Sequence, residues 1–126
     1  MKRVCNLSDL SGRRSVRFDL PPALGRFGFQ PREGFVVASA DGAPRAYVNL
    51  CPHRGQPVDL GDGRLFLADG NLECQAHGAV FDPATGACVR GPCAGAGLRA
   101  LPAEVRGSAV FAGEPWPAAP DDAGED

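Results

Sequence analysis

The chain is short of histidine, of aromatic rings and of long apolar runs. Its 126 residues include two histidines, one tryptophan and one tyrosine. No stretch approaches the ~20 apolar residues of a membrane-spanning helix, so a helical membrane protein is not expected. Lys2, Arg3 and the Arg13-Arg14 pair offer the basic start of an export signal. The apolar run of about 7–15 residues that should follow is interrupted by Asp19 and by Pro21-Pro22. A soluble, cytoplasmic protein is the expectation. A sustained apolar period of 3.6 residues is also missing, which argues against a helical bundle. No internal repeat is evident. Residues 1–54 carry nine Lys or Arg against four acids. These bases are spread singly, with no aromatic-rich basic strand among them, so nucleic acid is not an expected partner.

Turn formers are plentiful. The 17 glycines and 12 prolines are scattered along the chain, a composition that suits many short strands. The length suits one domain, expected over residues 1–113. Val16 to Leu20 alternates apolar and polar residues, the period of a half-buried strand. Residues 21–33 form an irregular excursion in which Phe27 and Phe29 cover the edge of the core. Residues 34–39 and 45–50 form a hairpin with Asp41-Gly42 at its tip, where φ > 0 is required. Residues 65–68 and 71–74 flank Asp69-Gly70, and 78–82 and 87–90 flank a Pro-Ala-Thr-Gly turn. A last pair runs from Leu98 to Val105 and from Ser108 to Ala112. Ser8 to Arg14 is at most a short helical turn. The expected class is therefore all-β with antiparallel strands. From Glu114 onward five acids and no base accompany Pro, Ala, Gly and Trp116. Such a segment buries too little to offset its ordering entropy, and a disordered acidic tail over 114–126 is expected. Trp116 is expected to pack loosely rather than relay electrons.

Both histidines fall into one pattern: Cys51-Pro52-His53-Arg54-Gly55 and Cys74-Gln75-Ala76-His77-Gly78. Each short loop offers one thiolate and one imidazole. Two buried cysteines and two surface histidines would be the bland explanation, but it leaves the repeated spacing unaccounted for. Two Cys and two His suit either zinc or iron and sulfur. Structural zinc sites usually group ligands by type, whereas here each loop mixes them. Mixing suits a binuclear centre in which one iron takes both thiolates and the other both imidazoles. Zinc is the alternative on the residues alone. Gly55 and Gly78 let the backbone approach the group and point N–H donors at it.

The two loops resemble those of the Rieske [2Fe–2S] family, C-P-H-R-G and C-x-x-H-G-x-x-F-D, over about Val36 to Val110. The resemblance implies a Rieske fold: antiparallel strands in small stacked sheets or a barrel, with an inserted cluster-binding part over about residues 46–95. It implies one [2Fe–2S] cluster per chain, with Cys51 and Cys74 on the inner iron and His53 and His77 on the outer one. Gly91-Pro92 matches the family's third loop, which shields the cluster. The spacing of 20 residues between His53 and Cys74 is slightly long for the family, and Gln75 stands at a position that is often proline. Respiratory and exported members carry an extra cysteine in each loop, forming a disulfide; Gln56 and Ala76 stand there. Those members also have a Ser and a Tyr that donate to the cluster sulfurs, where this chain has Ala79 and Phe81. The pattern therefore resembles the soluble, low-potential ferredoxin-like subgroup.

Of the other cysteines, Cys5 is expected as a small apolar filler or a free thiol near a frayed end. Cys88 and Cys93 are expected as free thiols, with a disulfide between them as the alternative. Arg54 is either a guide for an acidic partner or an ordinary surface arginine. A mononuclear iron site needs two further histidines and a carboxylate, and this sequence has no further histidine. The expected role is a one-electron carrier without its own catalytic site, between a flavin reductase and a terminal oxygenase or related enzyme. The alternatives are a small subunit or regulatory component of a larger reductase, and an iron–sulfur redox sensor.

Overall fold

The computed structural model describes residues 2–20, 33–52, 57–60, 65–74, 78–91 and 96–113. Residues 21–32 of the excursion expected at 21–33, the acidic tail with Trp116, and positions Gln56, Gln75, Ala76 and Cys93 lie outside them, while Glu33 already begins a strand.

The architecture is all-β, with three antiparallel sheets among the described residues. The first pairs β1 (Lys2–Asn6), β10 (Ala109–Ala112) and β9 (Ala103–Arg106) in the order β1-β10-β9. The second has the order β2-β3-β4-β8, from β2 (Ser15–Asp19), β3 (Glu33–Ala38), β4 (Pro44–Val48) and β8 (Ala100–Leu101). The third is β5 (Leu72–Cys74), β6 (Ala79–Phe81) and β7 (Cys88–Arg90).

Strand β3 explains how the sheets stack. Its centre is apolar on both faces and fully buried. Because side chains alternate along a strand, Phe35 and Val37 enter one core and Val36 enters another. Its neighbour β4 divides likewise, with Tyr47 on the first side and Ala46 and Val48 on the second. The second core is closed by Cys5, Leu10, Val110 and Ala112, which join the first sheet to the back of the second. The first core holds Cys51 and Cys74. Each large side chain fully withdrawn from water stabilises by roughly 1.5–3 kcal/mol.

The hairpin at 34–50 forms as expected, with Gly42 at φ 84°. Asp41 accepts from the Ser39 hydroxyl and from the Ala43 N–H (2.9 Å). The Ser39 hydroxyl, ahead of the Ala43 amide, holds the Asp41 carboxyl below the usual carboxylate range.

Elsewhere the structure corrects the expectations. The N-terminal segment is not frayed: β1 pairs with β10, and Cys5 sits opposite Val110 at 6% exposure. The helical turn is a 3₁₀ turn at Leu7–Leu10, entered through the Asn6 N–H donating to Asp9 (2.8 Å). Residues 65–68 form only an isolated bridge, Phe66 to Leu72. The expected strand from 98 to 105 divides at Pro102, with β8 in the second sheet and β9 in the first. Proline has no N–H for a ladder, so the chain changes sheets there.

The turn at 83–86 is welded to β4. The buried Tyr47 hydroxyl donates to the Pro83 carbonyl at 2.7 Å. Gly86, at φ 78°, lets the ring close in, since a Cβ there would lie 2.7 Å from Tyr47 Cε1. Burial pushes the Tyr47 phenol up to about 12, with Arg45 opposing and Asp82 adding to the shift. A proton held more tightly in the folded chain stabilises fully below pH ~10, and that contribution is lost as pH rises from about 10 to about 12. Tyr47 is the single tyrosine, so tyrosinate absorbance reports it alone. We expect a midpoint near 12 in the folded protein and near 10 in concentrated urea. A folded midpoint near 10 would contradict the buried phenol.

Candidate iron–sulfur site

Cys51 follows β4, and Cys74 is the last residue of β5. Both have no solvent exposure, neither is in a disulfide, and both belong to the same apolar cluster. The strand pattern explains this for Cys74. In the β5–β6 pair Leu72 faces Phe81 and Cys74 faces Ala79. All four point to the same face and are fully buried. The loop after Cys74 is closed by the Gly78 N–H donating to the Cys74 carbonyl (2.9 Å). Gly78 has φ 73°, the left-handed region that glycine adopts without strain.

The third loop begins against the second. A Cβ on Gly91, whose φ is 97°, would lie 2.8 Å from Ala79 Cα and 3.0 Å from the Gly78 carbonyl. Only glycine permits that approach. His53, Arg54, Gly55, His77 and Pro92 lie outside the described residues. Among the described residues no group of three or more His, Cys, Asp or Glu side chains is gathered for a metal. The donor chemistry nevertheless fits an iron–sulfur group. Two cysteines outside any disulfide share one apolar cluster at the foot of two loops, each loop supplying a histidine in sequence.

Cys88 is disulfide-bonded, which corrects the expectation of a free thiol there. The bonded partner is not among the described residues. The physical reason is local: the Cys88 N–H donates to the Ala96 carbonyl at 3.0 Å. The chain has therefore doubled back by residue 96.

Sequence reasoning missed Asn49. It lies two residues before Cys51 and is 3% exposed. Its Oδ1 accepts from the N–H groups of Val58 (2.9 Å) and Asp59 (2.8 Å). Its Nδ2 donates to the Asp59 carbonyl (2.9 Å) and to Glu33 Oε1 (3.3 Å). Asp59, itself 2% exposed, accepts from the Ser15 hydroxyl. The one available signal was an amide inside an otherwise apolar run, Tyr47-Val48-Asn49-Leu50-Cys51.

A family model described as the Rieske [2Fe-2S] domain matches residues 2–106. The chain is 39% identical, over 61 residues, to the oxygenase component of chloroacetanilide N-alkylformylase from Rhizorhabdus wittichii. That alignment covers 48% of this chain and 16% of the relative, so the chain spans about a sixth of the relative's length. Among solved structures it is similar to the ferredoxin of carbazole 1,9a-dioxygenase from Nocardioides aromaticivorans, at 29% identity and a TM-score of 0.64. There it covers 88% of this chain and 94% of the ferredoxin. A ferredoxin from Sphingomonas yanoikuyae B1 is 26% identical, with a TM-score of 0.56 and coverage of 90% and 97%. No helix among the described residues is long and apolar enough to cross a membrane.

Proposed function

We propose, from the premise that this chain belongs to the Rieske [2Fe–2S] family, that it is a one-electron carrier with a single cluster held by Cys51, His53, Cys74 and His77. When bound, such a cluster takes up and returns one electron, and its irons have no open position for bond chemistry. The chain's residues supply the rest. Cys51 and Cys74, fully buried, would hold one iron inside the apolar cluster. Leu72, Phe81 and Val58 keep water from that side. Low polarity around the sulfurs and the lack of a hydroxyl at Ala79 and Phe81 disfavour added negative charge. His53 and His77 would hold the second iron and present their ring edges to a partner, with Arg54 beside them.

The observation that carries this reading is the pair of fully buried cysteines, neither in a disulfide, in one core at the foot of two Cys/His loops. Similarity to a ferredoxin over 94% of that ferredoxin's length supports a carrier. We assign the donor to the flavin reductase class and the acceptor to a terminal oxygenase or related enzyme. The purified protein is expected to contain two irons and two acid-labile sulfides per chain. Its reduced form should give the EPR spectrum of a mixed Cys/His cluster, with a lower average g than an all-thiolate one. Stoichiometric zinc without sulfide would overturn the assignment.

A further inference from the structure

We propose that Asn49 is a positioning residue for the cluster, clasping the exit of the first ligand loop to its entrance. This rests on the reading of Cys51 and His53 as ligands.

The loop leaves β4 through Asn49 and returns at Val58 and Asp59. At the entrance, the Asn49 backbone N–H is fixed by the Glu33 carbonyl (2.9 Å), which ties it to the start of β3. At the exit, its carboxamide accepts from two successive backbone N–H groups and donates to one carbonyl. With the second Nδ2 hydrogen on Glu33, both donors and both acceptor sites of the amide are used. The clasp is anchored outward by Ser15 of β2 donating to the Asp59 carboxylate and by Arg17 lying 3.7 Å from Glu33. The loop carrying Cys51 and His53 is thus closed at its neck by one side chain, in surroundings from which water is excluded.

The residue types nearest to it in size do not do this. Aspartate accepts both N–H groups but has no hydrogen for the Asp59 carbonyl, and it sets a further carboxylate beside Asp59 and Glu33. Serine is too short to span donor and acceptor together. Alanine leaves the N–H groups of Val58 and Asp59 and the Asp59 carbonyl without their partner.

A metal group binds tightly when the ordering cost of its ligands is met by the fold rather than by the metal bonds. Opening the neck moves that cost to the metal bonds while leaving the β1-β10-β9 sheet untouched. The signature is faster loss of the cluster from a chain that is otherwise folded, together with altered geometry at the iron.

The test compares Asn49→Ala with Tyr47→Phe, which breaks a buried hydrogen bond to Pro83 in the same core but away from the loop neck. Both holoproteins are treated with a strong iron chelator, followed by visible absorbance, and their reduced EPR spectra are recorded. Thermal midpoints measure the general loss of stability in each. We expect Asn49→Ala to lose its cluster at least tenfold faster than Tyr47→Phe at equal distance below its midpoint. Its g values should shift or broaden, while those of Tyr47→Phe match the wild type. Equal loss rates and unchanged g values would overturn the proposal. Should Asn49→Ala yield no folded protein, Asn49→Asp decides by the same two readouts, because it keeps both accepted bonds. A wild-type protein lacking iron and sulfide would instead overturn the cluster reading itself.

Discussion

Replacing His77 or His53 by alanine is expected to yield a folded protein without a cluster. In the proposed arrangement each imidazole supplies half of the protein ligation of one iron, so either change leaves that iron with a single protein ligand. Iron and sulfide should fall at least tenfold below wild type, and the visible colour should disappear. The fold is expected to survive, because the described residues of the two cores form extensive apolar clusters of their own. Tyr47 supplies an internal check: its phenol should still titrate near 12 in each variant. Cys88→Ser is the matched control, since Cys88 is already engaged in a disulfide and leaves the proposed ligands untouched. Its iron and sulfide content should equal wild type. Retention of the cluster after loss of either histidine would mean that the ligands have been misassigned.

A reduction potential of roughly −200 to −100 mV at neutral pH is the second expectation. Rieske potentials span about −150 to +300 mV, and hydrogen bonds to the cluster sulfurs are among the levers. Reduction adds negative charge, so a hydroxyl donating to a sulfur stabilises the reduced state more than the oxidised one. A net hydrogen bond is worth about 1–1.5 kcal/mol. With 59 mV for a tenfold change in a one-electron equilibrium, that is on the order of 40–65 mV. Ala79 lies directly across the strand pair from Cys74, fully buried and on the same face. Side chains so placed have their Cβ atoms about 4.5–5.5 Å apart, which brings a serine hydroxyl within reach of the sulfur side of the site. Phe81 is fully buried two residues on, across from Leu72. With no hydroxyl at either position and no inter-loop disulfide at Gln56 and Ala76, the potential belongs near the bottom of the range. Ala79→Ser should raise it by several tens of millivolts, and Phe81→Tyr by a similar amount where the phenol meets a sulfur. Voltammetry on the three proteins decides the matter. A wild-type value above about +100 mV would contradict the explanation.

Much of this fold was legible because it is locally encoded. The hairpin at Asp41-Gly42 and the turn at 83–86 carry their geometry in the residues themselves, and Gly42 and Gly86 have the positive φ that those turns need. The two cysteines stood out as candidate ligands because each is spaced to a histidine. What was not legible depends on partners distant in sequence. Lys2–Asn6 is a charged pentapeptide with no turn signal beside it, and only pairing with Ala109–Ala112 makes it a strand. Pro102 marked an interruption, but which sheet each half would join is a property of the stacked whole. Asn49 escaped recognition because three of its four side-chain hydrogen bonds go to backbone groups, which every residue has. The disulfide at Cys88 was disfavoured by compartment alone, an argument blind to the chain doubling back by Ala96.

The pairing of β1 with β10 has a kinetic consequence. More than 100 residues separate the two strands, and closing so long a loop costs entropy before any contact offsets it. On the ribosome, where chains grow at about 5–20 residues per second, β1 must wait several seconds for its partner. The hairpin of β3 and β4 has no such wait. Throughout that interval the Cys5 thiol, which the finished sheet buries opposite Val110, stands open to solvent and to passing oxidants. Its closure is therefore among the last events of folding, and its reactivity is a clock for the arrival of β10.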